Sequence, residues 1–190
     1  IEGTKGFADD YVNTAKAALQ LWEDTAEECF LTKARTWTRV MDEHFWSSAL
    51  GGYFYYADDA EPLMLRPRML FENPAPSANG TMLVVLTRLA LLTGDPDYMS
   101  RGSMLAATFG DEANRVVNGS ATFFIGFEYL VNSMTVLVVG PKDSPQTQEL
   151  LRAYWGKSVP NGLLVQMEPD APLPPGHPAT GRGMSGDMPT

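Results

Sequence analysis

The sequence predicts a mainly α-helical fold of antiparallel helical hairpins with a small βαβ-like appendage toward its C-terminal side. Three observations predict it. Apolar residues recur at three- and four-residue spacing in five stretches between residues 8 and 133. The period then changes at residues 135–139, a continuous run rich in β-branched residues. Glycine and proline punctuate the boundaries, at Gly94-Asp95-Pro96 and again at Gly140-Pro141.

The first helix is expected over residues 8–25, where Ala8, Tyr11, Val12, Ala15, Ala18, Leu19 and Trp22 form one stripe. Asp9 and Asp10 fall in its first turn, where the helix dipole favours negative charge. A second helix over 27–45, with Phe30, Ala34, Trp37, Met41 and Phe45 on one face, follows so closely that the pair forms an αα-hairpin. His44 falls in its last turn, a position suited to capping or to complementing the dipole. The lone cysteine, Cys29, reads as a small helix residue near the core and excludes an internal disulfide framework.

A third helix over 77–93 starts at Ser77, an N-cap candidate after proline, and carries Met82, Val85, Leu86, Leu89 and Leu92. Gly94 ends it, and Asp95-Pro96 opens a fourth helix over 95–109 with Tyr98, Leu105 and Phe109 turned to the core. A fifth over 114–133 presents Val117, Ala121, Phe124, Ile125 and Tyr129; its Gly119 and Gly126 read as sites of close helix packing. A strand at 135–139, a helix over 144–156 opened by Ser144-Pro145, and a strand at 162–166 make a parallel βαβ-like unit. Prolines 169, 172, 174, 175 and 178 make the remainder an extended or disordered tail. The resulting division is a helical domain over 1–134 with a functional loop at 46–80, the βαβ-like unit over 135–167, and a truncated proline-rich tail over 168–190.

Composition narrows the function classes. A chain of 190 residues, 44% apolar and 19% charged, is an ordinary globular sequence, and a net charge of −9 disfavours nucleic acid and anionic membranes as partners. No run is long enough to span a bilayer and no basic-then-apolar leader opens the chain, so a cytoplasmic location is expected. No HExxH, paired Cys or His, or EF-hand spacing occurs, so neither a metal nor a cofactor is expected. The Val-Gly-Pro-Lys-Asp turn lacks the repeated glycines of a phosphate cradle, and Ser77 lacks the flanking glycines of a nucleophile elbow.

Function is concentrated in residues 51–80, GGYFYYADDAEPLMLRPRMLFENPAPSANG, a long irregular segment of the kind that carries binding or catalysis when ordered. Tyr53 to Tyr56 and a second extended run, Leu63-Met64-Leu65, suggest a small hairpin. Arg66 and Arg68 face a helix N-terminus, a combination that favours an anionic or hydroxyl-rich ligand. Asp58, Asp59, Glu61 and Glu72 could supply the acid and base of two-carboxylate glycoside hydrolysis, with the tyrosines stacking on sugar faces. The plainer reading is that the arginines pair with these acids to hold the loop in shape.

GGYFYYADD, LRPR and PAPSAN, the helix ending LALLTGD, Asp9-Asp10-Tyr11, Met41-Asp42 with Phe45-Trp46, and the Val136–Gly140 strand together resemble the thioredoxin-domain-containing family of spermatogenesis-associated protein 20. The pattern departs at Asn73-Pro74, where the family suggests Gly-Ala. The resemblance implies that the helices form part of an (α/α) six-hairpin toroid, the architecture of acylglucosamine 2-epimerases and many glycosidases, preceded by a thioredoxin-like domain. It also implies that the chain is a fragment. An epimerase histidine pair is not supported, because the only histidines are His44 and His177.

Two functions follow from the resemblance and the residues. One is a carbohydrate-binding or carbohydrate-active toroid, with Asp10, Glu72, Asp58 and Asp59 as candidate catalytic acids and Tyr11, Tyr53, Tyr55, Arg66, Arg68, Ser77 and Asn79 as candidate substrate-binding residues. The ligand would be a sugar or sugar derivative. The other is a noncatalytic scaffold that presents clients to the upstream thioredoxin-like domain, since Cys29 alone cannot run a dithiol cycle.

Overall fold

The computed structural model describes residues 6–61, 65–72, 74–172, 177 and 179–190. Its described elements run α1 (Ala8–Thr25), α2 (Glu28–His44), α3 (Ala78–Thr93), α4 (Pro96–Arg115), a 3-10 turn (Val117–Gly119), α5 (Ala121–Asn132), β1 (Met134–Val139), α6 (Pro145–Trp155) and β2 (Gly162–Met167).

Local signals set most of the boundaries. Ser77 Oγ accepts from the Gly80 N–H to start α3, and Gly94 ends it in the left-handed region at φ 69°. Asp95 accepts from the Asp97 N–H with Pro96 in the first helical position of α4. On α1, Ala8, Val12, Ala15, Ala18, Leu19 and Trp22 are buried as expected. On α2 the buried set is Leu31, Ala34, Thr38 and Met41, followed by Phe45, so Phe30 and Trp37 flank the core rather than centre it. Cys29 lies off that stripe and is exposed, against the expectation of a near-core residue.

The helices form two layers. α1 packs on α2 and α3, and α3 packs on α4 and α5. Because α3 is enclosed, nearly its whole surface is buried, Leu83, Val84 and Ala90 included, not only the stripe visible in the sequence. The α3–α5 contact runs through glycine. A Cβ at Gly80 would sit 2.8 Å from the Phe123 backbone nitrogen, and one at Gly126 would sit 2.9 Å from Leu83 Cβ. Gly126→Ala should therefore push α5 off α3 and destabilise the fold by roughly 1–3 kcal/mol, read in urea denaturation.

The fifth helix departs from expectation. α4 continues to Arg115, and the chain breaks at Val116 before α5 begins at Ala121. Ser120 Oγ donates toward the Ala113 and Val116 carbonyls, satisfying the end of α4, while Gly119 lies against the Phe71 ring, which a Cβ would meet at 2.2 Å. The buried residues of α5 are Thr122, Phe123 and Gly126, whereas Ile125 and Val117 are more than half exposed. An almost uniformly apolar helix that packs through its glycine gives no stripe to read.

β1 and β2 pair in parallel, Met134 with Gly162 through Val139 with Met167. β2 is the buried strand; β1 is buried only at Val138 and Val139. Leu163 and Val165 of β2 belong to the same core as the helices. The tail is more ordered than expected. Thr190 and Val139 exchange backbone hydrogen bonds of 2.8 and 3.2 Å, and Ala179 is buried against Val139 and Met167. Pro174, Pro175 and Pro178 lie outside the described residues.

Candidate functional site

The N-termini of α1, α3 and α5 gather at one end of the helical layers. The Asp9 carboxyl lies beside the Ala78 N–H, the Gly80 backbone abuts Phe123, and Glu72 Oε1 accepts from the Thr122 N–H at 2.7 Å. At the other end, Glu23 of α1 meets Arg88 of α3 and Tyr129 of α5 donates to the Gly162 carbonyl. The three helices are therefore parallel, and their positive dipole ends converge.

Loop 46–77 covers that end. Gly51 and Gly52, at φ 68° and 78°, reverse the chain so that Tyr53 bridges back to Trp46 and the Phe54 N–H donates to the Phe45 carbonyl at 2.8 Å. The Tyr55 N–H donates to the Pro67 carbonyl at 2.8 Å, and the Tyr55 carbonyl accepts from the Ala8 N–H at 3.1 Å. The expected hairpin with residues 63–65 rests on positions 63 and 64, which, like Asn73, lie outside the described residues.

Most of the candidate polar groups are spent on backbone. Arg66 donates to the Tyr56 carbonyl at 2.7 and 3.0 Å and to the His44 carbonyl at 3.0 Å, and stacks on Phe54. Arg68 donates to the carbonyls of Leu50 and Gly51. The expected arginine–carboxylate pairing of the loop is therefore replaced by arginine–carbonyl bonds among the described contacts. Asn79 is buried and holds Tyr53 at both its N–H and its carbonyl, with a third bond to the Met69 carbonyl. Asp10 accepts from the Phe7 N–H at 2.8 Å, Ser77 caps α3, and Glu72 caps α5. Tyr11 rests on Phe45, and the buried Tyr53 donates its hydroxyl to Asp42 at 2.6 Å.

What these contacts frame is a cavity of about 110 Å³ lined by Asp9, Tyr53, Tyr55, Phe71, Ser77 and Asn79, among others. It brings four of the sequence candidates together, Tyr53, Tyr55, Ser77 and Asn79, and adds Asp9. Burial raises the Asp9 carboxyl pKa from its ordinary value; the Asp10 charge adds to this, while the neighbouring Tyr55 hydroxyl and Ala78 N–H oppose it. The Tyr55 ring stacks on Phe7 at 5.2 Å between centroids. Sequence reasoning chose Asp10 over Asp9. The signal that favours Asp9 is its position three residues before the buried Val12, which puts it on the rim of the inward face.

Asp58 and Asp59 are not at this cavity. Asp58 Oδ1 lies 2.9 Å from His44 Nδ1 and Asp59 Oδ2 lies 3.8 Å from it, and the Asp58 hydrogen bond raises the His44 pKa. Two larger clefts, of about 470 and 910 Å³, contain none of the candidate residues. No helix among the described residues is long and apolar enough to cross a membrane.

The fold and site together define a two-layered helical unit with a carboxyl-bearing aromatic cavity at converging helix N-termini. No protein-family model matches the sequence. The chain is homologous to spermatogenesis-associated protein 20. It is 28% identical to the Rattus norvegicus protein over 167 residues, 27% to that of Homo sapiens over 167, and 26% to that of Mus musculus over 174. Each match covers 87% of this chain, and the chain spans 21% of the length of these larger relatives.

Proposed function

We propose that the chain is part of an (α/α) toroid whose converged helix N-termini bind a sugar or sugar derivative, and that residues 1–134 carry this activity. The observation that carries the reading is the Asp9 carboxyl. It sits in an aromatic-lined cavity, raised in pKa by burial, beside the Tyr55 hydroxyl and the start of α3. A carboxyl and a phenol can each exchange hydrogen bonds with a sugar hydroxyl, and ring faces favour pyranose C–H surfaces. At about 110 Å³ the cavity takes only part of such a ligand, which fits a site completed by further parts of a larger protein. Of the candidate acids, Asp10 and Glu72 are already engaged as helix caps, so the support is for binding rather than two-carboxylate hydrolysis.

A second reading has its own observation. Leu65, Met69 and Phe71 on the covering loop are 76%, 45% and 55% exposed, an apolar set suited to holding a client for an upstream thioredoxin-like domain.

The test is calorimetric titration with a panel of monosaccharides and sugar phosphates. Asp9→Asn should weaken binding of any ligand found by about tenfold while unfolding stays cooperative. A ligand that binds Asp9→Asn and the unsubstituted protein equally would remove this cavity from the account.

A further inference from the structure

The Asp9 cavity carries charge of one sign. Among the described residues that line it, Asp9 is the charged one, set with the aromatic side chains of Tyr53, Tyr55 and Phe71, and no arginine, lysine or histidine joins them. The loop arginines are held elsewhere. Arg66 stacks on Phe54 and donates to the Tyr56 and His44 carbonyls, while Arg68 lies over Phe109 and donates to the Leu50 and Gly51 carbonyls. A helix N-terminus ordinarily favours an anion, but here the chain supplies the acceptors itself. Asp10 takes the Phe7 N–H, Ser77 takes the Gly80 N–H and Glu72 takes the Thr122 N–H. Resting on the sugar-binding reading above, we propose that the cavity selects a sugar bearing a protonated primary amine, of the glucosamine class, over neutral sugars and sugar phosphates, with the Asp9 carboxylate as its counter-charge.

The lining suits an ammonium group. A carboxylate offers about four lone-pair positions, so Asp9 can accept from a ligand N–H while it stays beside the Tyr55 hydroxyl and the Ala78 N–H. Aromatic rings carry a negative face that attracts cations, and three of them contribute to this cavity. An ammonium next to Asp9 also favours the charged form of the carboxyl, against the burial that opposes it. A neutral hydroxyl in the same place gains a hydrogen bond but no charge attraction. A phosphate there meets like charge. At about 110 Å³ the cavity has roughly the volume of three to four waters, room for the amine and the ring carbon that bears it, with the rest of the sugar outside.

The experiment is calorimetric titration with glucosamine, glucose and glucose 6-phosphate at about pH 6.5, where such an amine is protonated. It is repeated on Asp9→Asn and Asp97→Asn, with circular dichroism of each to confirm the fold. Glucosamine is expected to bind about tenfold more tightly than glucose, and glucose 6-phosphate most weakly. Asp9→Asn keeps the shape of the side chain without its charge and should abolish the preference, weakening glucosamine about tenfold more than glucose. Asp97→Asn, in the first turn of α4 and away from the cavity lining, should preserve it. Equal binding of glucosamine and glucose, tightest binding of glucose 6-phosphate, or a preference that survives Asp9→Asn would overturn the amine selectivity and leave sugar binding standing. Binding of none of the three by the folded protein would overturn both.

Discussion

Arg88→Ala should cost the fold about 3–5 kcal/mol, because it strands a buried carboxylate. Arg88 Nη2 lies 2.5 Å from Glu23 Oε2, with the two side chains only 4% and 5% exposed, and Glu23 Oε1 accepts from the Leu164 N–H at 2.7 Å. One carboxyl thus joins α1, α3 and β2. Burial raises the Glu23 pKa above its ordinary 4.5, and the Leu164 N–H and Arg88 oppose the rise. Removing Arg88 removes one opposing effect, so the pKa rises further. A group whose folded pKa exceeds its unfolded value takes up a proton on folding; its contribution is fully present below the unfolded pKa and is lost as pH rises through the folded one. The deficit of Arg88→Ala should accordingly be smaller near pH 5 than near pH 7.5, by about 1 kcal/mol or more in urea denaturation. A deficit independent of pH would mean that Glu23 is not the group left stranded.

Asn79→Ala should be nearly as severe, with a loss of roughly 3 kcal/mol, since it leaves the Tyr53 N–H and the Tyr53 and Met69 carbonyls without their side-chain partner. The damage should be local first. Among the described hydrogen bonds this side chain is what ties the loop to α3, so limited proteolysis should cut within residues 46–72 of the variant before it cuts the helices. Cleavage that starts elsewhere, or a loss under about 1 kcal/mol, would show that the arginine–carbonyl bonds hold the loop without Asn79.

The parts of the fold that were legible in the sequence are those decided by near neighbours. Ser77, Gly94 and Asp95-Pro96 announce their helix ends because capping involves residues within one turn. The change of period at residue 135 announces the strand in the same way. What was not legible depends on distant partners. The break before α5 rests on Gly119 meeting Phe71, and the order of the tail rests on Thr190 meeting Val139. The candidate site shows the same division. Tyr53, Tyr55, Ser77 and Asn79 were read into one locality, and the structure places them at one cavity. The loop arginines were read as ligand groups or as partners of the acids; they are taken up by carbonyls that only the folded chain presents to them. His44 and Asp58 met for a comparable reason, through a loop return that no local pattern encodes.

The most direct test of the proposed site is amide chemical-shift mapping of the isotope-labelled protein during titration with the sugar panel. The account predicts that a binding sugar shifts the amides of Asp9, Tyr55, Ala78 and Thr122, which belong to the loop and to the three helix N-termini it covers. Shifts confined to other surfaces, or none with any sugar at millimolar concentration while the protein remains folded, would contradict it.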